Sequence, residues 1–160
     1  MLLSIAVLSL TVASGLMALS TAVVAAEPPQ APEHRVVAIY FHRTERCPTC
    51  QRIGTMAEQA VREEFVKQME EGVVDFRFVD FQDKANADLA RSYGIKTPTL
   101  VLVNEFDGAA VCATPMPKVW QLVGKPVEFR EYVVSGVVRY LKQSREDAEQ
   151  EHKKSKEVSK

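Results

Sequence analysis

Cys47-Pro48-Thr49-Cys50 sets two thiols about one helical turn apart. The motif directly follows an apolar run, Val36 to Phe41, and directly precedes a segment with helical patterning, Gln51 to Glu71. A cysteine at the mouth of a helix meets backbone N–H groups without intrahelical partners, and partial positive charge with them. Both favour thiolate over thiol, and thiolate is the form that attacks a disulfide. Arg46 adds a full positive charge beside Cys47. The chemistry that suits this pattern is thiol–disulfide exchange. Cys47 is the candidate nucleophile, and Cys50, deeper by one turn, the thiol that resolves the mixed disulfide. Pro48 is tolerated in the first turn, where a missing N–H costs nothing.

Other uses of the same pair stay open at this point. They would also make a structural disulfide, or part of a metal site. Zinc takes about four ligands, and only Cys112 and His42 are obvious further donors; there is no second CxxC. Cys112, in a segment patterned as a strand, reads as a small buried hydrophobe. His42 reads as polar surface at a strand end, and Glu45 as a solvated loop charge.

The elements that must position the cysteines follow from hydrophobic periodicity. Arg35 to Phe41 reads as a buried strand, rich in β-branched and aromatic residues. Ile53, Met56, Ala57, Ala60, Val61 and Phe65 recur at helical spacing, and Gly72 is placed to end that helix. Val73 to Phe81 alternates as a strand. Asp83 to Tyr93 reads as a short helix stopped by Gly94, and Thr99 to Val103 as a further buried strand. Asn104 to Gly108 is a hairpin turn, with Ala109 to Ala113 pairing back. Val119 to Val123 is a helical turn, in which Trp120 is expected to pack under the last helix, Pro126 to Gln143. Residues 143–160, mostly charged and polar, are expected to form a disordered tail.

Composition narrows the rest. Lys and Arg number 20 against 21 Asp and Glu, so there is no basic footprint for nucleic acid. Met1 to Ala26 carries no charged side chain and is followed by the Pro-rich stretch Glu27 to Pro32. Residues 1–26 read as a signal peptide cut after Ala26, or alternatively as an uncleaved membrane anchor, and residues 27–34 as a linker. Either way the folded part, residues 35–142, is expected outside the cytoplasm, periplasmic or secreted, where disulfides persist.

Strand, helix, strand, helix, strand, strand, helix, with CxxC between the first strand and first helix, resembles the thioredoxin fold. A second anchor is Tyr93-Gly94-Ile95-Lys96-Thr97-Pro98-Thr99-Leu100, similar to the thioredoxin segment that carries a cis-proline beside the active cysteines; Val79-Asp80 fits the same pattern. The chain also resembles secreted bacterial thioredoxin-like proteins, through Tyr40-Phe41-His42, Arg46-Cys47 and the run Lys118 to Gly124. It departs from thioredoxins in carrying Arg46 for the usual Trp and Phe41 for the usual buried Asp.

The resemblance implies an α/β thioredoxin-like fold, a mixed sheet with helices on both faces. It implies a redox-active Cys47–Cys50 pair and a cis Thr97–Pro98 bond, whose backbone would receive a substrate strand. It implies no organic cofactor. The expected partners are protein disulfides or dithiols and a redox partner protein, with the chain a monomer. The direction of electron transfer stays open. The other class of reading is a non-enzymatic binding module, with Cys47, Cys50 and His42 holding a metal.

Overall fold

The computed structural model describes residues 32–158. The expected leader, residues 1–26, and the linker as far as residue 31 lie outside them.

Six consecutive buried residues, Val36 to Phe41, demand a strand covered on both faces. They form the middle of β1 (His34–His42). Its parallel neighbour is β2 (Val74–Asp80), and its antiparallel neighbour is β3 (Thr99–Phe106), which turns back into β4 (Ala109–Pro115). The sheet order is β2-β1-β3-β4. Asp107 and Gly108 make the β3–β4 turn, both at positive φ, the pairing that a tight two-residue hairpin requires.

The two faces of β1 sort its side chains. Val36, Ala38 and Tyr40 join the larger core, with Ile53, Ala57 and Val61 of α1 (Pro48–Glu64) and Phe129, Val133, Val137 and Tyr140 of α5 (Pro126–Leu141). Val37, Ile39 and Phe41 join a smaller core with Val79, Val101 and Val103, covered by Phe81, Tyr93 and Ile95 around α3 (Ala87–Ser92). Helices therefore lie on both faces of a mixed sheet, the α/β architecture expected. A 3₁₀ turn, Lys84–Asn86, leads into α3.

The segment expected as one helix from Gln51 to Glu71 is two, α1 and α2 (Val66–Glu70). The break is Phe65, at φ −115°, whose side chain is buried in the larger core. A short helix, α4 (Val119–Leu122), stands where the helical turn was expected.

The tail is the main correction. Residues 145–158 are not disordered but form α6 (Arg145–Val158), packed along β4. Ser144 and Asp147 cap it reciprocally: the Asp147 N–H donates to the Ser144 hydroxyl, and the Ser144 N–H to the Asp147 carboxylate, both at 3.2 Å. Ala148 is fully buried in the larger core. Glu151 accepts from Arg139, Gln143 and Thr114 at 2.7 to 3.1 Å. Ala148, the multiply bonded Glu151 carboxylate, and Arg145, which pairs with Asp107 and lies over the Phe106 ring, hold this helix, so composition carries almost no trace of its docking. The domain accordingly begins at His34 and runs through α6, past the expected limits 35–142.

Candidate active site

β1 and α1 bring the cysteines to one end of the sheet. Cys47 is the N-cap of α1, in extended conformation, with Pro48 in the first turn. Its sulfur accepts from the Cys50 N–H at 3.2 Å, the bond a capping side chain makes. The two sulfurs are 2.6 Å apart, and both cysteines are free thiols. Cys47 is exposed, and Cys50 is only 8% exposed.

The same environment drives the two thiols apart. The Cys50 thiol and backbone N–H groups donate to the Cys47 sulfur and hold its pKa below the ordinary cysteine value. Burial, and then the hydrogen bond it shares with Cys47, push the Cys50 thiol up. Cys47 is thus the first of the pair to ionise, with Cys50 a protonated donor beside it.

Tyr40 supports this geometry from beneath. It is fully buried, and its hydroxyl donates to the Cys50 carbonyl at 3.0 Å. Burial and the nearby thiols push that hydroxyl far above its ordinary range, so it stays a donor at any working pH. Gly54 lets α1 settle this close: a Cβ there would meet Phe78 Cε1 at 2.8 Å and Tyr40 Cδ1 at 2.9 Å. Sequence pattern alone singles out neither Tyr40 nor Gly54 as a site residue. The tyrosine hides within the apolar run, and the glycine within a helix pattern that any small residue would satisfy. Tyr40→Phe is expected to lower stability by about 1 kcal/mol, as for a lost buried hydrogen bond. Urea denaturation measures it, and an unchanged midpoint would mean that the hydroxyl carries no net bond.

Arg46 is half-buried, with its guanidinium 4.8 Å above the centre of the Phe78 ring. The hydrogen bonds that lower the Cys47 pKa come from Cys50, Thr49 and the Cys47 backbone itself. His42 Nδ1 lies 2.9 Å from the Arg43 carbonyl. Among the described residues no three His, Cys, Asp or Glu side chains gather as a metal-holding group. His42 therefore does not complete a site with Cys47 and Cys50.

Thr97 and Pro98 lie at the same sheet end, since Phe41 pairs with Thr99 and Tyr40 with Leu100. Every peptide bond among the described residues is trans, Thr97–Pro98 included, which corrects the cis expectation. A trans X-Pro bond is favoured by about 0.5–1 kcal/mol where surroundings do not force the other isomer. Here the loop is tied off in the trans form: the Thr99 hydroxyl donates to the Thr97 carbonyl at 2.8 Å, and Trp120 Nε1 donates to the Pro98 carbonyl at 3.3 Å. Trp120 is a second correction. It does not pack under α5 but stands 39% exposed over this loop.

Cys112 is buried in β4 opposite Asn104, with its sulfur 3.4 Å from the Tyr140 hydroxyl. Five residues of strand, on the order of 16 Å, separate Asn104 from Thr99. Burial pushes its pKa up, as expected of an inert packing cysteine. A cleft of about 700 Å³ opens beside it, lined by Tyr93, Val101, Cys112, Pro115, His152 and Lys156 among others. It does not include Cys47, and exchange at an exposed sulfur needs no cavity.

A parallel β1–β2 pair joined through α1 and α2, a β3–β4 hairpin beside β1, and a dithiol at the mouth of α1 make up the frame of the site. The fold is thioredoxin-like. Among solved structures, the thioredoxin-like chain is similar to the Trx4 domain of ERdj5, with 20% identity over 59% of this chain and 77% of that one, at a TM-score of 0.39. It is also similar to the thioredoxin Mala s 13 of Malassezia sympodialis, with 19% identity over 66% of this chain and 77% of that one, at a TM-score of 0.38. No protein-family model and no curated protein matches the chain.

Proposed function

We propose that this thioredoxin-like chain is a protein thiol–disulfide oxidoreductase. One observation carries the reading: an exposed sulfur caps α1, accepts a backbone N–H and lies 2.6 Å from a second, buried thiol. The Cys47 thiolate attacks one sulfur of a partner disulfide, the other sulfur leaves as thiolate, and a mixed disulfide forms. Cys50 then attacks Cys47, releasing the reduced partner and closing a Cys47–Cys50 disulfide. Two electrons pass to the partner. The reverse sequence donates the disulfide and uses the same atoms, and a second redox protein restores the starting form. Thr97 and Pro98 form the wall against which a partner strand rests. The uncharged leader, residues 1–26, supports a periplasmic or secreted setting for this exchange.

Trapping tests the reading on natural partners. Cys50→Ala removes the resolving thiol, so captured proteins are expected to accumulate as mixed disulfides on Cys47. They would be recovered from native cell envelope on a non-reducing gel and released by reductant. Failure to hold any protein through Cys47 would count against exchange as the function.

A further inference from the structure

Thiol exchange brings a partner's sulfur in line with Cys47 and so lays the flanking partner residues across this end of the sheet. Strand order puts the end of β1, and Cys47 beyond it, between two aromatic side chains. On the β2 side stands Phe78, and on the β3 side Trp120 over Pro98. The Phe78 ring is already engaged. Arg46 covers it, and Tyr40, His42 and Phe76 pack around it at centroid distances of 5.2 to 6.2 Å. Trp120 differs. Among the described residues no ring or cation contact is made to its indole, and its one polar tie is the Nε1 bond to Pro98.

That exposure is built rather than incidental. α4 is pinned from within: Val119 is fully buried, Met116 is 4% exposed, and the Met116 N–H donates to the Leu100 carbonyl at 2.8 Å. The pinning fixes Trp120 outward, over the loop that the proposed exchange uses as a wall. A large rigid aromatic surface held at low entropy cost is the residue type that dominates recognition.

We propose that Trp120 selects the partner: its indole face receives a bulky apolar side chain next to the cysteine that Cys47 attacks. This rests on the exchange reading above. The substrate class is an extended protein segment with an apolar residue beside its disulfide-bonded cysteine, in preference to one flanked by glycine. The chemical step is unchanged. Cys47 forms one S–S bond as the partner's breaks, and the apolar contact holds the partner through attack.

The test uses the reduced full chain and two capped synthetic peptide disulfides, one with phenylalanine and one with glycine immediately before the cysteine. Thiol release in a single turnover gives both rate constants. The phenylalanine peptide is expected to react about tenfold faster, the scale of one well-packed aromatic contact. Trp120→Ala is expected to bring the ratio to about one, and Trp120→Phe to keep most of it, since the aromatic face remains. Trp120 is the only tryptophan, so emission reports the contact without a substitution there. Cys50→Ala holding the phenylalanine peptide should shift its emission, and holding the glycine peptide should not. Equal rates for both peptides, or a ratio that survives Trp120→Ala, would overturn the proposal and leave exchange standing. Reaction with neither peptide would remove the exchange reading, and the selection with it.

Discussion

Replacing Cys47 by serine is expected to lower the reduction of insulin disulfides to the uncatalysed level, a loss on the order of 10³-fold or more, because a hydroxyl at the helix mouth supplies no thiolate. The loss follows from the asymmetry of the pair. Cys47 is exposed and favoured to ionise, whereas Cys50 is buried and disfavoured. Cys50 cannot replace Cys47, since a partner's sulfur would have to enter the protein to reach it. Turbidity of the insulin B chain, with dithiothreitol as the electron source, measures the rate. Cys112→Ser in the same assay should behave like the parent, because that sulfur is buried in β4. A Cys47→Ser variant that kept substantial turnover would assign the chemistry to another group.

The largest stability effect is expected from Ala148→Asp. Ala148 is fully buried among the apolar residues of the larger core. A carboxylate at that position must either be buried unpaired or drive α6 off β4, and the second outcome also costs the bonds that Glu151 makes. Either route should cost about 3 kcal/mol. That corresponds to a fall in Tm of roughly 10 °C for a domain of this size. The exchange rate at 25 °C should hold, since α6 meets β4 and not the Cys47 end of the helix layer. An unchanged Tm would mean that the helix is not docked and that the charged composition was the truer guide.

The central architecture was legible because it is written in periodicity. The unbroken apolar run of β1, the alternation of β2 and the glycines after α2 and α3 each reflect a local physical demand, and β1, β2 and α5 stand within a residue or two of where their patterns put them; β3 instead runs three residues further, to Phe106, so the expected turn at Asn104–Gly108 shrinks to Asp107–Gly108, and the helix expected from Asp83 starts as a 3₁₀ turn and becomes α3 only at Ala87. The cysteine pair was legible for the same reason: a strand, a two-residue spacer and a helix start fix where the sulfurs lie. What was not legible depends on contacts far apart in sequence. Ala148 and Glu151 look like members of a solvated charge run until β4 and α5 lie beside them. Trp120 reads as core by residue type, and only the Pro115-Met116-Pro117 break, with the Met116 bond to Leu100, turns it outward. The trans Thr97–Pro98 bond departs from a resemblance rather than from a physical rule. Tyr40 shows a middle case: its burial follows from the strand pattern, but the hydroxyl's partner is set by the depth at which Gly54 seats α1.

Exchange depends on which sulfur loses its proton first, and ultraviolet thiolate absorbance against pH measures that directly. Titrations of Cys50→Ala and Cys47→Ala in a Cys112→Ser background would show each thiol alone, and the parent would show the coupled pair. In the parent, the first ionisation is expected at Cys47, below the free-cysteine value of about 8.5, with the rate of insulin reduction rising through the same pH and levelling above it. Cys50 is expected to ionise above that value. A first ionisation at or above about 8.5, or one that belongs to Cys50, would contradict the account.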